Sequence, residues 1–133
     1  MQEWQTIPIR TVTDIVTARQ RGRGKALEVG FSETEATLIA TIISELARNI
    51  VLYAQSGHVL IGDADSGARR GICIISQDHG PGIADVQRAL LGGYSTSGGL
   101  GLGLCGVRRM VDEFQLQSTP SRGTEVRVKK WVR

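Results

Sequence analysis

The segment Glu45-Leu-Ala-Arg-Asn49 places a carboxylate and a carboxamide four residues apart, within a stretch of helical hydrophobic spacing. Residues at i and i+4 share one face of a helix, so both side chains are expected to point the same way. The amide oxygen of Asn49 suits Mg²⁺, which prefers oxygen ligands and usually keeps several waters. Glu45 could hold a water on that ion or accept a proton from a nucleophile. An exposed Glu and Asn pair on an ordinary helix is the structural alternative.

The motif Asp78-His-Gly80-Pro-Gly82-Ile83 directly follows the apolar run ICIIS. Asp78 is therefore expected at the end of a strand, followed by a tight turn with free backbone amides. Its carboxylate could accept a hydrogen bond from the amino group of an adenine. A simple turn of the Pro-Gly kind is the alternative interpretation of the same residues.

Glycines are concentrated in one part of the chain, where nine of the 17 fall within the 27 residues from Gly80 to Gly106. Such a density costs backbone entropy, and it favours a backbone that must approach a ligand closely over a linker between domains. The run from Gly98 to Gly103 leads into a helical pattern whose first amides can bind an anion. The dinucleotide fingerprint fits poorly, because polar residues 94–97 stand where a strand should precede it.

Hydrophobic spacing predicts the elements that position these motifs. Helices are expected from Thr13-Asp14 to about Gly30, from Ser32 to about Ala54, over 84–91 and over 103–114. Strands are expected over 6–12, 58–64, 71–77, 115–119 and 123–131, with an irregular loop over 92–102. Pro8 suggests that the first strand lies at a sheet edge. The result is an α+β fold, a mixed sheet with helices on one face.

Length and composition limit the class of protein. A chain of 133 residues with 41% hydrophobic and 22% charged residues predicts one folded domain over residues 1–133. No apolar run is long enough to span a membrane, and no signal peptide is apparent, so a cytoplasmic location is expected. The net charge of +3 and the scarcity of aromatic residues favour a solvated basic face, or one suited to an acidic protein partner, over a nucleic-acid surface.

Cysteine and histidine usage predicts neither a disulfide framework nor a metal cluster. Cys73 and Cys105 are isolated, as expected for two reduced thiols that serve as small hydrophobes. His58 and His79 are also isolated, and no Cys/His group has the spacing of metal ligands.

Four segments, taken in order, resemble the N box and the three glycine boxes of the GHKL family of ATP-binding domains. They are Glu45–Asn49, Asp78–Ile83, Gly98–Gly106 and Gly123-Thr124. That family includes gyrase, Hsp90, histidine kinases and MutL. Over essentially its whole length the chain is most similar to the anti-sigma-factor-type serine/threonine kinases of this family. The resemblance implies a two-layer α/β sandwich of the Bergerat type.

The resemblance also implies that the chain binds ATP and Mg²⁺. Asp78 would bind the adenine amino group, with Thr124 nearby through water, and Asn49 would ligate the metal. Glu45 would be the general base that activates the acceptor hydroxyl. Residues 92–103 would cover the triphosphate. The other residues implied in nucleotide binding are Gly80, Gly82, Ile83, Gly98, Gly99, Gly101, Leu102, Gly103 and Leu104.

Kinases of this type phosphorylate serine or threonine on STAS-domain antagonist and scaffold proteins of the stressosome. The resemblance implies that this chain does the same and then switches partner to activate a PP2C-type phosphatase in general stress signalling. Two alternatives stay open at this point. One is an anti-sigma factor that mainly sequesters its partner, and the other is a nucleotide-gated binding module with little catalysis.

Overall fold

A computed structural model of the chain describes residues 4–80 and 103–133. The helices are α1 (Val12–Val29), α2 (Glu33–Asn49) and α3 (Gly103–Met110), and one π-helical turn, Ile50–Ala54, directly continues α2. The strands are β1 (Gln5–Ile9), β2 (Gly57–Asp65), β3 (Arg70–Asp78), β4 (Glu113–Thr119) and β5 (Gly123–Trp131). The predicted helix over 84–91 and the predicted loop over 92–102 lie outside the described residues.

The five strands form one sheet in the order β1-β2-β3-β5-β4. Pro8 lies in the edge strand β1, as predicted, where its missing N–H costs the sheet no central hydrogen bond. The predicted α+β class and two-layer arrangement are confirmed, but the expectation of a mixed sheet is wrong for the described strands. All four pairings are antiparallel, because β5 returns between β3 and β4 and separates these two parallel-running strands.

The helices pack on one face of this sheet. The buried side chains of β2, β3 and β5 that point toward the helices alternate along each strand, as Val59 and Ile61 do in β2. They form one core with the apolar stripe of α2, which includes Ile39, Ile43 and Leu46. By composition α2 and its π turn are apolar enough for a membrane span, but their buried residues occupy this core.

Short-range hydrogen bonds to side chains set where α1 and α2 begin. The Asp14 carboxylate accepts hydrogen bonds from the backbone N–H groups of Arg10 (2.9 Å) and Thr11 (3.1 Å), and these bonds lower the pKa of Asp14. Because those amides bond Asp14 and not β2, β1 ends at Ile9 and the helix begins earlier than predicted. At α2 the predicted cap is confirmed, since Ser32 Oγ accepts the N–H of Glu35 at 3.1 Å.

Helix α3 and strand β4 also depart from the predicted bounds. The helix stops at Met110, four residues before its predicted end, and β4 begins at Glu113, two residues before its predicted start. The reason is Asp112, whose N–H donates to the Lys129 carbonyl and whose carboxylate accepts the N–H of Trp131 at 2.8 Å. These bonds draw the chain out of the helix and onto β5.

The opposite face of the sheet carries a second, smaller apolar cluster, which includes Cys73, Ile75 and Trp131. Cys73 and Cys105 are both free thiols, as predicted. Burial raises the pKa of the Cys73 thiol, although Lys129 and Arg127 nearby act in the opposite direction. A buried and protonated thiol is a packing residue, not a nucleophile.

Candidate functional site

Glu45 lies on the face of α2 that meets the start of α3. Its side chain is only 8% exposed, and Oε1 accepts the backbone N–H of Gly103 at 3.1 Å. Gly103 is the first residue of α3 and has a φ of 64°, a left-handed conformation that glycine adopts without strain. The contact brings together a carboxylate and a helix N-terminus, whose free amides attract anions. A proton acceptor therefore lies beside a group that can bind phosphate oxygens.

Asp78 is the last residue of the central strand β3, as predicted. Its Oδ1 accepts two backbone N–H groups, from Gly80 at 2.9 Å and from Thr124 on β5 at 3.2 Å. These two bonds fix the plane of the carboxylate. In the described part of the chain no donor reaches Oδ2, and the side chain is only partly buried. A carboxylate oxygen held in this plane can accept an N–H group of a ligand.

Two glycines allow the backbone to pass close to Asp78. At Gly123, with a φ of 122°, a Cβ atom would collide with the Asp78 backbone oxygen and lie 2.8 Å from the His79 Cα. At Gly80 a Cβ atom would lie 2.6 Å from the Cβ and 2.7 Å from the Cα of Ala54. Side chains at these positions would push apart the strand end, the turn and the helix that surround Asp78.

The π-helical turn joins the Asp78 region to the Glu45 region. Asn49 ends α2, and the turn Ile50–Ala54 follows it directly and ends against Gly80. One continuous helical segment therefore carries Glu45, Asn49 and the residue that contacts the Asp78 turn. Such π turns are frequent at functional sites, because they shift the residues around them relative to a regular helix.

Asn49 is half-buried, and its amide oxygen is the ligand type predicted for Mg²⁺. Among residues 4–80 and 103–133, no three or more His, Cys, Asp or Glu side chains gather into a metal-binding group. A single protein oxygen is sufficient for Mg²⁺ when the other ligands are water and phosphate. The amide oxygen of Asn49 therefore fits a metal held mainly by a nucleotide.

The described structure places six predicted site residues in two groups. The first contains Glu45, Gly103 and the buried Leu104, and the second contains Asp78, Gly80 and Thr124. Asn49 lies on the helical segment that connects them. The predicted residues Gly82, Ile83, Gly98, Gly99, Gly101 and Leu102 lie outside the described residues.

Sequence reasoning missed two contributors to this site. Ser118 lies opposite Thr124 in the β4–β5 pairing, and the two hydroxyl oxygens are 2.9 Å apart. Gly57 lies opposite Asp78 on β2, where a Cβ atom would collide with the Gln77 carbonyl. Nothing local in the sequence marks either residue, because both act through strand pairing.

Comparison with known proteins agrees with this arrangement. Residues 34–133 match the family described as histidine kinase-, DNA gyrase B-, and HSP90-like ATPase. The serine/threonine-protein kinase RsbT of Bacillus subtilis (strain 168) is 47% identical over 133 residues, which cover 100% of both chains. An anti-sigma F factor of Thermoanaerobacter sp. (strain X514) is 30% identical over 100 residues, covering 71% of this chain and 68% of that protein. The anti-sigma F factor of Clostridium novyi (strain NT) is 29% identical over 107 residues, covering 72% of this chain and 71% of that protein.

Proposed function

Because the chain belongs to the family of histidine kinase-, DNA gyrase B- and HSP90-like ATPases, we propose that it is a protein serine/threonine kinase. It would transfer the γ-phosphoryl group of ATP to a hydroxyl on another protein. The observation that carries this function is the contact between the Glu45 carboxylate and the Gly103 amide. The full-length similarity to a serine/threonine-protein kinase supports the same activity.

Asp78 is the proposed adenine-binding residue. Oδ1 is held by two backbone amides, and Oδ2 would accept the adenine amino group. The Thr124 hydroxyl pairs with Ser118 and can make a further hydrogen bond to the base through water. Gly80 would allow the base to approach the backbone, and Gly82 and Ile83 are proposed to line the same pocket.

Asn49 is the proposed Mg²⁺ ligand, and the amides at the start of α3 are the proposed triphosphate ligands. The Gly103 N–H, which donates to Glu45 in this structure, would donate to a phosphate oxygen instead when the nucleotide binds. Gly98, Gly99, Gly101 and Leu102 are proposed to contribute beside it. Leu104 is 8% exposed and anchors α3 in the core behind these amides. When bound, the magnesium nucleotide supplies the phosphoryl group and screens its negative charge.

Glu45 is the proposed general base. Its carboxylate would accept the proton of the acceptor serine or threonine hydroxyl as that oxygen forms its bond to phosphorus. The bond from phosphorus to the leaving diphosphate oxygen breaks in the same displacement, and ADP leaves. The buried position of Glu45 keeps bulk water away from this proton transfer. The contact with Gly103 holds the carboxylate against the start of α3.

The proposed partners are proteins. We expect the acceptors to be STAS-domain antagonist and scaffold proteins of a stressosome, and the next partner to be a PP2C-type phosphatase that the kinase activates. Residues 1–133 would act as one ATP-binding domain in the cytoplasm. The mildly basic net charge of +3 suits an acidic partner surface.

A phosphoryl-transfer assay with γ-labelled ATP, Mg²⁺ and lysate from the native source tests this function. We expect label on a small protein. Glu45→Gln keeps an oxygen for the Gly103 N–H but cannot accept a proton, so transfer should fall about 100- to 10,000-fold while ATP still binds. Glu33→Gln, an exposed change in the first turn of the same helix, is the matched control and should leave transfer unchanged.

Two outcomes of this assay would contradict the proposal. Label found only in free phosphate would indicate an ATPase, and undiminished transfer by Glu45→Gln would exclude Glu45 as the base.

The similarity to two anti-sigma F factors favours one second candidate, a nucleotide-dependent module that sequesters its partner. That candidate predicts ATP-dependent capture of the partner without transfer of label.

A further inference from the structure

We propose that Lys130 is a positioning residue that fixes α3 against α2 and so places the Gly103 amide for phosphate binding. This inference rests on the proposed kinase function. Lys130 lies on β5, far in sequence from both helices, and its side chain is 12% exposed. Its Nζ donates to the carbonyl of Met110, the last residue of α3, at 3.0 Å. The same Nζ lies 3.7 Å from Oε2 of Glu35, in the first turn of α2.

Helices α2 and α3 are therefore joined at two points. At one end Glu35 and Met110 share the Lys130 ammonium, and at the other end Glu45 accepts the Gly103 N–H. The two points are about 15 Å apart along α2, at about 1.5 Å per residue. The beginning of α2 meets the end of α3, so the helices run antiparallel. Fixing the end of α3 then sets how far its first amide projects toward Glu45.

The chemistry of the Lys130 site favours this role. The last carbonyls of a helix lack partners within the helix and carry partial negative charge, which a lysine ammonium complements. Oε2 of Glu35 is buried and has no hydrogen-bond donor among the described residues. The Lys130 ammonium places its positive charge beside both the Met110 carbonyl and the Glu35 carboxylate. Asp112 reinforces the connection, because its carboxylate accepts the N–H of Trp131, the next residue on β5.

Substitution of Lys130 should change nucleotide binding more than turnover. Lys130→Met keeps the aliphatic stem but removes the ammonium, so α3 can shift along α2. We expect the Kd for MgATP to rise about tenfold, the loss that corresponds to about one hydrogen bond from the start of α3 to a phosphate oxygen. At saturating ATP, kcat should fall by a smaller factor than the Kd rises, because the Glu45 carboxylate is retained although its contact with Gly103 is altered. Lys130→Arg retains the charge and should restore most of the affinity.

The control for this substitution is Lys129→Met. Lys129 is the adjacent residue of β5 and points to the opposite face of the sheet, away from both helices. It should leave the Kd for MgATP unchanged. Hydrogen exchange of the α3 amides in nucleotide-free protein gives a second measurement. Exchange should be faster in Lys130→Met than in Lys129→Met. Equal exchange, or wild-type affinity for MgATP in Lys130→Met, would overturn the proposal.

A double variant separates positioning from a general loss of stability. Lys130→Met alone leaves the half-buried Glu35 carboxylate, whose Oε2 atom is buried, without its cation, which lowers Tm. The double variant Glu35→Gln with Lys130→Met removes that charge, so Tm should recover. The end of α3 is still not fixed by an ammonium group, so MgATP should still bind weakly. If Lys130→Met fails to fold, the affinity for MgATP is measured in the double variant instead. Recovery of both Tm and affinity would refute a positioning role.

Failure of the proposed kinase function would be distinguishable. Wild-type protein that bound no MgATP would refute that function, whereas the comparison of α3 exchange between Lys130→Met and Lys129→Met needs no nucleotide. Faster α3 exchange in Lys130→Met would still support the fixing of α3 against α2. Wild-type binding of MgATP together with unchanged binding by Lys130→Met would refute only the inference about Lys130.

Discussion

Replacing Asp78 with asparagine changes one atom of the proposed adenine site. The two backbone N–H groups of Gly80 and Thr124 both donate to Oδ1, so the amide oxygen of the substituted side chain should take that position. The amide NH₂ group then occupies the Oδ2 position. An acceptor becomes a donor there, and it would face the adenine amino group, which is also a donor.

The expected magnitude follows from these contacts. A hydrogen bond to a charged group contributes about 1.5–3 kcal/mol. At about 1.4 kcal/mol per tenfold, its loss corresponds to about 10- to 100-fold in Kd, and two opposed donors place the effect at or above the upper value. Both backbone bonds survive, so the free energy of unfolding should fall by only about 1 kcal/mol. The variant should therefore lose affinity for ATP while its free energy of unfolding changes little.

A comparison of two nucleotides makes the test specific. Calorimetric titration with MgATP and MgGTP should show that Asp78→Asn weakens ATP binding about 100-fold or more. Guanine carries an oxygen acceptor where adenine carries its amino group. The ratio of ATP affinity to GTP affinity should therefore fall, whereas an equal loss of affinity for both nucleotides would leave that ratio unchanged. Wild-type MgATP affinity in the variant, or weakened binding of both nucleotides by the same factor, would refute the assignment of Asp78 to the adenine.

Gly123→Ala should lower the free energy of unfolding by about 2 kcal/mol or more, because it combines a left-handed φ with a collision against the Asp78 backbone oxygen. Gly67 also has a left-handed φ, of 82°, but there is open space where its Cβ would lie. Chemical denaturation of Gly67→Ala and Gly123→Ala therefore isolates the free-energy cost of the collision. Equal losses of stability in the two variants would contradict that cost. Asp14→Asn should destabilise the protein at neutral pH. The pKa of Asp14 is lowered below 3.8 by the backbone N–H groups that it accepts, so its contribution is present above pH 3.8 and is lost as pH falls through the folded-state value. Thermal unfolding from pH 7 to pH 2 should show the variant and wild-type curves converging at low pH, and a difference that persisted there would exclude the carboxylate as its source.

The sequence by itself determined the local features of this protein. Apolar spacing predicted α2 and the hairpin of β2 and β3 within a few residues, because burial of one face imposes a fixed period on the chain. The Ser32 cap and the edge position of Pro8 depend on hydrogen bonds made or lost within a short stretch of backbone, and both predictions are confirmed. The order of the motifs also indicated the family to which the chain belongs.

Only the tertiary structure decided what depends on distant residues. The antiparallel order of the sheet follows from β5 returning between β3 and β4, a choice that no single strand encodes. The pairing of Ser118 with Thr124 likewise depends on strand register. The contact of Glu45 with Gly103 and the link from Lys130 to Met110 join residues from separate elements. Periodicity and capping act over one turn or one strand, whereas these contacts exist only after the sheet and helices have packed together.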